Sequence, residues 1–436
     1  MDLLDLASLP DPLPIHPVDH PLDVVVRVPG SKSITNRALV CAALAGGRST
    51  LTGALFADDT EAMIGVLRSI GLEVVADEET NSIEIVGGDS TLPATTEPVD
   101  VRQSGTTARF ALPLLALGRG AYRVDAHPQM RSRPMDTTLE ALRQLGAGVE
   151  ELGTAGHLPT TITGGGVRSG VLRVPGDASS QFLSGLLLIG PCLPDGLVLE
   201  LATHLVSRPY VDLTISVMEA FGATVDRPDD STFAVGPGGY TATNYHIEPD
   251  ASAASYPFAA AAVCGGRVRV EGLGSRAAQG DVAFLDVLAQ MGAEVTRGDD
   301  WSEVRAQRGS LTGGRFDLTH ISDTAQTLAV VAPFASDPVE VTGIGFIRRK
   351  ETDRVAAVAT ELGRCRIEVT VDPDGWSIRP GTPQPAVVQT YEDHRMAMSF
   401  ALLGLAVPGI EIADPACVAK TFPGYWDMLS RVAGRV

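Results

Sequence analysis

The amino-acid sequence predicts an α/β (α+β) protein of two globular domains, each built from three similar repeats. Three observations support this prediction. The chain has 436 residues, whereas single hydrophobic cores stop growing at roughly 250 to 300 residues. A repeat of nearly constant length recurs six times along the chain. Each repeat contains about two helical patterns and several strand patterns, so a few repeats should pack around a shared axis.

Each repeat opens with a polar segment that precedes an alanine- or leucine-rich helical run. The openings are marked by Gly30, Ser104, Asp177, Asp250, Asp323 and Asp393, which lie 74, 73, 73, 73 and 70 residues apart. Ser, Thr, Asp or Asn directly before a helical run is typical of an N-cap. We therefore expect a helix to begin at every opening, with Asp323 as the N-cap of the fifth.

The second helix of each repeat ends in another recurring pattern. In four repeats a glycine suited to a helix C-cap follows the helix, and these glycines are Gly71, Gly146, Gly222 and Gly292. The fifth repeat has Arg366 at the corresponding position. Because arginine lacks the conformational freedom of glycine, we expect a locally different turn there.

Composition excludes several classes of function. The formal net charge is -19, which argues against nucleic acid or an anionic membrane surface as a partner. No apolar run approaches the ~18 residues of a membrane span. Residues 1–23 lack the basic start of a signal peptide and are interpreted as a proline-stiffened lead-in, so we expect a cytoplasmic protein.

The five cysteines lie far apart, without a CxxC pair or a nearby histidine, and predict no metal site.

Basic residues lie close to five of the six openings. A helix N-terminus carries free N–H groups and the positive end of the helix dipole, so converging helix starts would form a pocket for phosphates and carboxylates. A small substrate with several negative groups is the simplest explanation for cations at these places in an acidic protein. A solvated surface charge is the alternative for any single arginine. The cations are Lys32, Arg37, Arg109, Arg133, Arg208, Arg348, Lys350, Arg354, Arg395 and Lys420.

Only three of the 34 basic residues are lysines, and they are Lys32, Lys350 and Lys420. Arginine is always charged, whereas lysine is a compact charge that can also exchange a proton. The lysines near the openings are therefore interpreted as groups for proton transfer or close charge contact, with an accident of composition as the alternative. The GSKS segment at Lys32 lacks the GxxxxGK[ST] spacing of a nucleotide-binding loop.

The fifth and sixth repeats contain candidate proton-transfer groups. Asp323 and Glu351 are carboxylates close to cations, and such a pair can act as general base and general acid. The alternatives are an N-cap for Asp323 and a solvated helix acid for Glu351. His394 is a candidate proton shuttle, with a neutral packed ring as the alternative.

Nine short segments, in this order and spacing, resemble the 5-enolpyruvylshikimate-3-phosphate synthase family. They are GSKSITNRAL, QSGTTAR, RSRPM, DASSQFL, VSRPY, DASAASY, KETDR, EDHRMAM and AKTFP, and the match runs from about residue 23 to 430. The resemblance implies transfer of the enolpyruvyl group of phosphoenolpyruvate to the 5-hydroxyl of shikimate 3-phosphate, in the shikimate pathway of aromatic amino acid biosynthesis. It implies no metal or organic cofactor and only small-molecule partners, and we expect a monomer.

The resemblance also implies an inside-out α/β barrel of the enolpyruvyl transferase kind, with repeats of βαβαββ type. One domain would contain residues 1–28 and 251–436 and the other residues 29–250. The chain would cross between them near Pro29 and Asp250.

The resemblance further implies a set of site residues. The phosphoenolpyruvate side would contain Lys32, Gly105, Arg133, Gln181, Arg354, Arg395 and Lys420. The shikimate 3-phosphate side would contain Lys32, Ser33, Arg37, Ser179, Ser180, Gln181, Ser207, Asp323 and Lys350. Asp323 would be the base and Glu351 the proton donor, while Lys32 and Lys420 would stabilise charge. The sequence leaves open which residue moves which proton.

Two departures and two alternatives accompany the resemblance. Many members of the family have Asn where this chain has Phe346, and Phe110 replaces a proline in the QSGTTARF segment. The first alternative is the sister family, UDP-N-acetylglucosamine enolpyruvyl transferase, whose reactive cysteine would lie near Pro128. This chain has no cysteine between Cys41 and Cys192, which disfavours that alternative. The second is a non-catalytic homologue that binds anions without turnover.

Overall fold

The computed structural model of the chain describes residues 4–435, which divide into two compact domains. The inserted domain is Gly30–Glu248, and the terminal domain contains the chain up to Pro29 and from Pro249 onward. The chain changes domain after Pro29 and after Glu248, whereas the sequence suggested crossings near Pro29 and Asp250. Within residues 4–435 the strands form six sheets, three in each domain.

Repeats 2, 3 and 5 each follow the order strand, helix, strand, helix, strand, strand, which is the predicted βαβαββ pattern. In each sheet the first two strands are parallel, and the last strand lies antiparallel between the second and the third. The elements of repeat 2 are Val99–Asp100, Gly105–Ala116, Ala121–Asp125, Asp136–Leu145, Gly148–Glu151 and Thr160–Thr163, with a short extra helix Pro128–Arg131. Those of repeat 3 are Gly170–Val174, Ser180–Ile189, Leu197–Leu201, Arg208–Ala220, Val225–Asp229 and Thr232–Val235. Those of repeat 5 are Gly314–Asp317, Ala325–Val331, Val339–Thr342, Arg354–Arg364, Val369–Asp372 and Gly375–Ile378.

Repeats 1, 4 and 6 complete their sheets with strands from distant parts of the chain. In repeat 1, Asn244–His246 pairs in parallel with Ala45–Thr52. The other elements of repeat 1 are Lys32–Leu44, Asp58–Ser69, Glu73–Asp77, Ser82–Gly88 and the added strand Tyr240–Thr241. Those of repeat 4 are Ala251–Cys264, Gly266–Glu271, Phe284–Gln290, Glu294–Arg297 and Trp301–Ala306. Those of repeat 6 are Ala386–Val388, His394–Ala406, Ile410–Ile412 and Tyr425–Val432.

The N-terminal segment supplies the missing strands of the terminal domain. Leu22–Val26 pairs in parallel with Gly266–Glu271, and Leu13–Ile15 pairs antiparallel with Ile410–Ile412. The interpretation of residues 1–23 as a mere lead-in is therefore wrong for its described part. Pro14 is tolerated because its strand lies at the edge of the sheet, where a missing N–H is not needed.

The helices that begin at the repeat openings form the centre of each domain. Every residue of Gly105–Ala116, Ala251–Cys264 and His394–Ala406 is buried. In each domain the three opening helices contact one another. A helix that is apolar on all sides must be covered on all sides, so helices lie inside and sheets outside. This is the inside-out arrangement that the resemblance implied.

The N-cap predictions are confirmed at five of the six openings. At each of these five a side-chain oxygen accepts a hydrogen bond from a backbone N–H of the first turn, as expected for an N-cap. The capping residues are Ser31, Ser104, Ser179, Asp250 and Asp393. Asp323 is the exception, for a reason that the site makes clear.

The turn at Arg366 is the same turn that glycine forms in the other repeats, so the expected difference is wrong. Arg366 has φ 64°, and its N–H and that of Ile367 bond to the carbonyls of Gly363 and Leu362. Gly71 has φ 83° and follows the same hydrogen-bond pattern. The backbone bonds thus impose a left-handed conformation on an exposed arginine, which costs about 1–2 kcal/mol.

No helix within residues 4–435 combines the length and the apolar character that a membrane crossing requires.

We predict that Arg366→Gly stabilises the protein. The substitution removes the left-handed penalty, and about 0.4–1 kcal/mol of this gain is offset by the greater freedom of glycine in the unfolded chain. The free energy of unfolding in urea should rise by roughly 0.5–1 kcal/mol. The reverse exchange, Gly292→Arg at φ 101°, should lower it. An unchanged stability in both variants would contradict this explanation.

Candidate active site

The predicted substrate residues of the inserted domain lie mainly at the starts of its opening helices. Lys32 and Ser33 begin the helix of repeat 1, and Gly105 begins that of repeat 2. Ser180 and Gln181 begin the helix of repeat 3. We call this group, together with Arg37, Arg133, Ser179 and Ser207, the inserted-domain cluster.

Lys32 is held in an ion pair that the sequence did not reveal. Its Nζ lies 3.1 Å from Oδ2 of Asp59, and the two side chains are only 12% and 3% exposed. The backbone carbonyl of Asp59 accepts a hydrogen bond from Thr107 in the opening helix of repeat 2. The pair therefore fixes a positive charge between two helix starts, where it adds to the positive ends of their dipoles.

Gly105 provides room for two guanidinium groups. A Cβ at this position would lie 2.7 Å from Nη1 and Nη2 of Arg133 and 2.8 Å from Nη1 of Arg109. The nitrogens of the two arginines are therefore within 5.5 Å of each other, the sum of 2.7 and 2.8. Two cations beside a helix N-terminus form a site suited to an anion. Any side chain at residue 105 would displace them.

Gln181 connects the starts of two opening helices. Its Oε1 accepts a hydrogen bond of 2.8 Å from Arg109, and its Nε2 donates to Thr106 at 3.2 Å. The Arg109 guanidinium also lies over the ring of Phe182, 4.8 Å from the centroid. These contacts fix the orientation of the amide. Arg109 was recognised in the sequence as a cation near an opening but not as part of the site.

Arg37 is the buried member of this cluster, and it supports the start of its own helix. The side chain is buried, and its guanidinium donates to the carbonyls of Ser33 and Tyr210 and to Thr214. Burial lowers the pKa of Arg37 to about 10. Its guanidinium lies 5.2 Å from the ring centroid of Phe110, so the residue that departs from the family pattern supports the arginine. Direct contact of Arg37 with substrate stays a prediction.

Ser207 begins the second helix of repeat 3 in a left-handed conformation, with φ 53° and ψ 41°. Such a conformation is uncommon for serine and is held here by the buried surroundings of the residue. Ser207 thus lies at a helix start, as several other predicted substrate residues do. Its contact with shikimate 3-phosphate stays a prediction from the resemblance.

Arg354 is the centre of the terminal-domain cluster, which we define as Asp323, Lys350, Glu351, Arg354, Asp393, Arg395 and Lys420. Its side chain is 2% exposed and bonds to Asp393 at 2.7 Å, Glu351 at 2.8 Å and Asp323 at 3.3 Å. Burial alone would lower the pKa of Arg354, but the three carboxylates outweigh that effect and raise it. One guanidinium thus organises three acids.

Asp323 is not an N-cap, contrary to the prediction. It lies within a 3₁₀ turn, Ser322–Thr324, and its carboxylate accepts hydrogen bonds from Arg354 and, at 2.7 Å, from Arg395. Charge-assisted bonds to two buried arginines are stronger than one bond to a backbone N–H, so the carboxylate faces the arginines. Glu351 is likewise paired with Arg354 at 9% exposure, so the solvated alternative is wrong for it.

The two remaining lysines differ in their surroundings. Lys420 is buried at the end of a 3₁₀ helix, Pro415–Lys420, that contacts the opening helix of repeat 6. Lys350 is half-buried and directly follows a 3₁₀ turn, Gly345–Arg349.

Phe346, which replaces the Asn of many family members, lies in that turn and packs against the hydrophobic core. Its ring cannot form the hydrogen bonds that an Asn side chain would form.

Some sequence candidates do not join the clusters. Arg208 lies 3.4 Å from Asp230, and Arg348 pairs with Asp353 at 3.0 Å. His394 is 1% exposed, and its Nδ1 lies 3.7 Å from the Asp393 carboxylate. Its burial agrees with the packed-ring alternative.

In the described part of the chain, no group of three or more His, Cys, Asp or Glu residues is placed to hold a metal ion.

A cleft of about 800 Å³ lies elsewhere in the terminal domain, beside the C-terminal end of Ala251–Cys264. Its arginines include Arg267, which pairs with Asp23 and Glu303, and Arg305, which pairs with Glu303. Since none of the predicted site residues lines it, we do not assign it as the active site.

The two clusters suit different chemistry. The inserted-domain cluster contains three cations, Lys32, Arg37 and Arg133, and Lys32 is paired with Asp59, so positive charge is in excess and suits a polyanion. The terminal-domain cluster combines four cations with three carboxylates, Asp323, Glu351 and Asp393. Anion binding and proton transfer are both possible there.

We predict that Asp393→Asn strongly destabilises the terminal domain. The carboxylate is fully buried and bonds to Arg354 at 2.7 Å, and breaking a buried ion pair costs about 3–5 kcal/mol. The control is Glu368→Gln, which removes a pair with Arg379 in which both side chains are 66% exposed; it should cost less than about 1 kcal/mol. Urea unfolding measures both, and equal losses would refute the central role of Arg354.

We predict that Gly105→Ala weakens anion binding by displacing Arg133 and Arg109. The dissociation constant for inorganic phosphate, measured by calorimetry on the full chain, should rise about three- to tenfold, since part of a charge-assisted hydrogen bond is lost. The control is Gly65→Ala, where a Cβ meets nothing within 4 Å and affinity should not change. Equal affinity in both variants would show that the space at Gly105 is not needed.

Comparison with known proteins identifies the family of the chain. The sequence profile of EPSP synthase (3-phosphoshikimate 1-carboxyvinyltransferase) matches residues 18–429. A 3-phosphoshikimate 1-carboxyvinyltransferase of Nostoc punctiforme is 45% identical over 417 residues, covering 95% of this chain and 98% of the relative. One of Laribacter hongkongensis is 45% identical over 409 residues, covering 92% and 95%.

Solved structures show the same fold. EPSP synthase from Acinetobacter baumannii aligns with a TM-score of 0.81 at 26% identity, covering 96% of this chain and 97% of that one. The enolpyruvyl transferase NikO from Streptomyces tendae aligns with a TM-score of 0.72 at 20% identity, over 96% of each chain; it supports the fold alone. The predicted two-domain α/β fold class is confirmed, and the chain belongs to the EPSP synthase family.

Proposed function

We propose that the protein transfers the enolpyruvyl group of phosphoenolpyruvate to the 5-hydroxyl of shikimate 3-phosphate, with release of phosphate. The observation that carries this proposal is the family match over residues 18–429. It is supported by the two clusters, which contain the charges that a reaction between two polyanionic substrates needs. The product would be 5-enolpyruvylshikimate 3-phosphate, an intermediate of aromatic amino acid biosynthesis.

The substrate residues are proposed as the resemblance assigns them. Shikimate 3-phosphate would contact Ser33, Arg37, Ser179, Ser180, Ser207, Asp323 and Lys350. Phosphoenolpyruvate would contact Gly105, Arg133, Arg354, Arg395 and Lys420, and both substrates would contact Lys32 and Gln181. The hydroxyls and N–H groups at the starts of the opening helices are suited to phosphate oxygens.

The proposed chemistry is an addition followed by an elimination. The 5-hydroxyl oxygen forms a bond to the substituted carbon of phosphoenolpyruvate and gives up its proton, while the methylene carbon gains one. The tetrahedral intermediate then returns a proton from its methyl group to the donor, restores the double bond and expels phosphate, which takes up the proton held by the base. Asp323 is the proposed base for the hydroxyl, and Glu351 is the proposed donor to the methylene. Lys32 and Lys420 are proposed to stabilise negative charge.

The shared guanidinium of Arg354 gives this assignment a physical rationale. Asp323 and Glu351 both bond to it, at 3.3 and 2.8 Å. In the addition step one carboxylate would gain a proton while the other loses one. The total charge around Arg354 would then stay constant, so no buried charge is created or left unpaired.

The alternatives are less well supported. A UDP-N-acetylglucosamine enolpyruvyl transferase is disfavoured because Pro128, at the position of its reactive cysteine, begins the short helix Pro128–Arg131, and because the family profile is that of EPSP synthase. A non-catalytic anion-binding homologue would bind both substrates and release no phosphate, which the experiment below distinguishes.

We also propose that the protein acts as a monomer in the cytoplasm, without nucleic-acid or membrane partners. All the proposed substrate residues come from one chain, and the net charge of -19 disfavours anionic polymers and surfaces.

We predict phosphate release only when both substrates are present, and a loss of at least about 100-fold in kcat in Lys32→Ala and in Asp323→Ala, since each removes a charged group at the reacting centre. Arg379→Ala, at an exposed ion pair, is the control and should retain full activity. Release is measured with a coupled phosphate assay. Binding of both substrates without release by the wild-type chain would refute the proposed function in favour of the non-catalytic homologue.

A further inference from the structure

The turn at residues 390–393, directly before the opening helix of repeat 6, has an unfavourable backbone conformation. Its two central residues, Tyr391 and Glu392, are both left-handed, with φ 58° and 55°. Gly, Asn and Asp enter this region readily, whereas longer side chains seldom do. Such conformations persist only where the surrounding structure holds them, and they are concentrated at functional sites.

The turn leads into the terminal-domain cluster. Asp393 ends the turn and accepts two hydrogen bonds from the guanidinium of Arg354, at 2.7 and 3.2 Å, and one from the backbone N–H of Arg395 at 3.0 Å. Arg395 in turn donates to the carboxylate and the backbone carbonyl of Asp323, at 2.7 and 3.0 Å. The conformation of the turn therefore determines how the two arginines of the cluster are placed.

Glu361 holds the other side of the turn. Its carboxylate is fully buried and accepts hydrogen bonds from the hydroxyl of Tyr391 at 2.6 Å and from the backbone N–H of Gln389 at 3.0 Å. Arg364 also donates to it, at 2.9 Å. Burial and the bond to Glu361 raise the pKa of Tyr391 to about 12, so the hydroxyl keeps its proton and is a donor at neutral pH.

One helix bonds to both sides of the turn. Glu361 and Arg354 belong to the helix Arg354–Arg364 and are seven residues apart, a spacing that places them on the same face. The turn is thus fixed to this helix at Gln389 and Tyr391 on one side and at Asp393 on the other. Without the bond from Tyr391, fewer restraints oppose relaxation of the two left-handed residues.

We propose that Tyr391 and Glu361 are positioning residues for the binding of phosphoenolpyruvate. Their hydrogen bond keeps the left-handed turn in place, and the turn aligns Arg354 and Arg395. Both residues act through the turn and not by contact with the substrate. This inference rests on the proposed function, which assigns the two arginines to phosphoenolpyruvate.

The first test is Tyr391→Phe in the full chain, which removes the hydroxyl and keeps the ring. The KM for phosphoenolpyruvate should rise about three- to tenfold, because one of several hydrogen bonds to the Glu361 carboxylate is lost. The KM for shikimate 3-phosphate should change less than about twofold, because most of its proposed contacts lie in the inserted-domain cluster.

Tyr425→Phe is the matched control for a loss of stability. Tyr425 is fully buried, and its hydroxyl donates at 2.5 Å to the carbonyl of Met398, which lies in the same opening helix as Arg395. Both variants should unfold at a lower temperature than wild type, since each loses a hydrogen bond. Only Tyr391→Phe should change the KM for phosphoenolpyruvate.

The second test examines whether this KM follows the backbone of the turn. Asn enters the left-handed region more readily than Glu, so adding Glu392→Asn to Tyr391→Phe should return the KM for phosphoenolpyruvate to within about twofold of wild type. Glu392→Gln is the control, because it removes the same charge but keeps a longer side chain. Added to Tyr391→Phe, it should leave the KM raised.

Two results would overturn the proposal and leave the proposed function intact. An unchanged KM for phosphoenolpyruvate in Tyr391→Phe would show that its hydrogen bond serves the fold alone. Equal recovery with Glu392→Asn and Glu392→Gln would show that charge, and not the turn, controls the KM.

Absence of turnover in the wild-type chain would instead count against the proposed function. The dissociation constant for phosphoenolpyruvate, measured by calorimetry in the same variants, would then replace KM. A rise in Tyr391→Phe that Glu392→Asn reverses would support the positioning role, and an unchanged constant would refute it.

Discussion

A helix that is apolar on every side is stable only where other elements surround it, and this requirement determines how both domains are built. The three opening helices of each domain cover one another, and the sheets cover them from outside. In two of these helices the first turn stays partly exposed, at Lys32, Ser33 and Gln181. Much of the polar chemistry therefore lies at helix N-termini, where N–H groups and the helix dipole favour anions. The position of the candidate site follows from the way the core is packed.

Features that depend on neighbouring residues were predictable from the sequence. The repeat length and the N-caps at Ser31, Ser104, Ser179, Asp250 and Asp393 are encoded in segments of a few residues, and the structure confirms the caps. The βαβαββ order that the resemblance implied is found within repeats 2, 3 and 5. The candidate site could be located for the same reason. The lysines Lys32, Lys350 and Lys420 are local signals, and the resemblance added residues such as Gly105 and Ser207 to them.

Features that depend on distant residues could not be predicted. Asp323 has the sequence context of an N-cap, but its partners Arg354 and Arg395 come from 31 and 72 residues further along the chain. The pairing of Lys32 with Asp59 likewise depends on how two helices pack. At Arg366 the residue type indicated a different turn, yet the backbone bonds around it impose the common one. For Asp323 and Lys32 a contact with a distant residue decided the local structure, and at Arg366 the backbone hydrogen bonds of the turn outweighed the preference of the residue type.

The borrowed strands affect the order in which the chain can fold during synthesis. All residues of the inserted domain, Gly30–Glu248, leave the ribosome before most of the terminal domain exists, so this domain can complete its sheets early. The strand Leu13–Ile15 is among the first segments made, but its partner Ile410–Ile412 is among the last. At about 5–20 residues per second this strand waits roughly 20–80 s for its partner. During that interval its edge is unpaired, and the prolines around it are suited to keep such an edge from pairing with other chains.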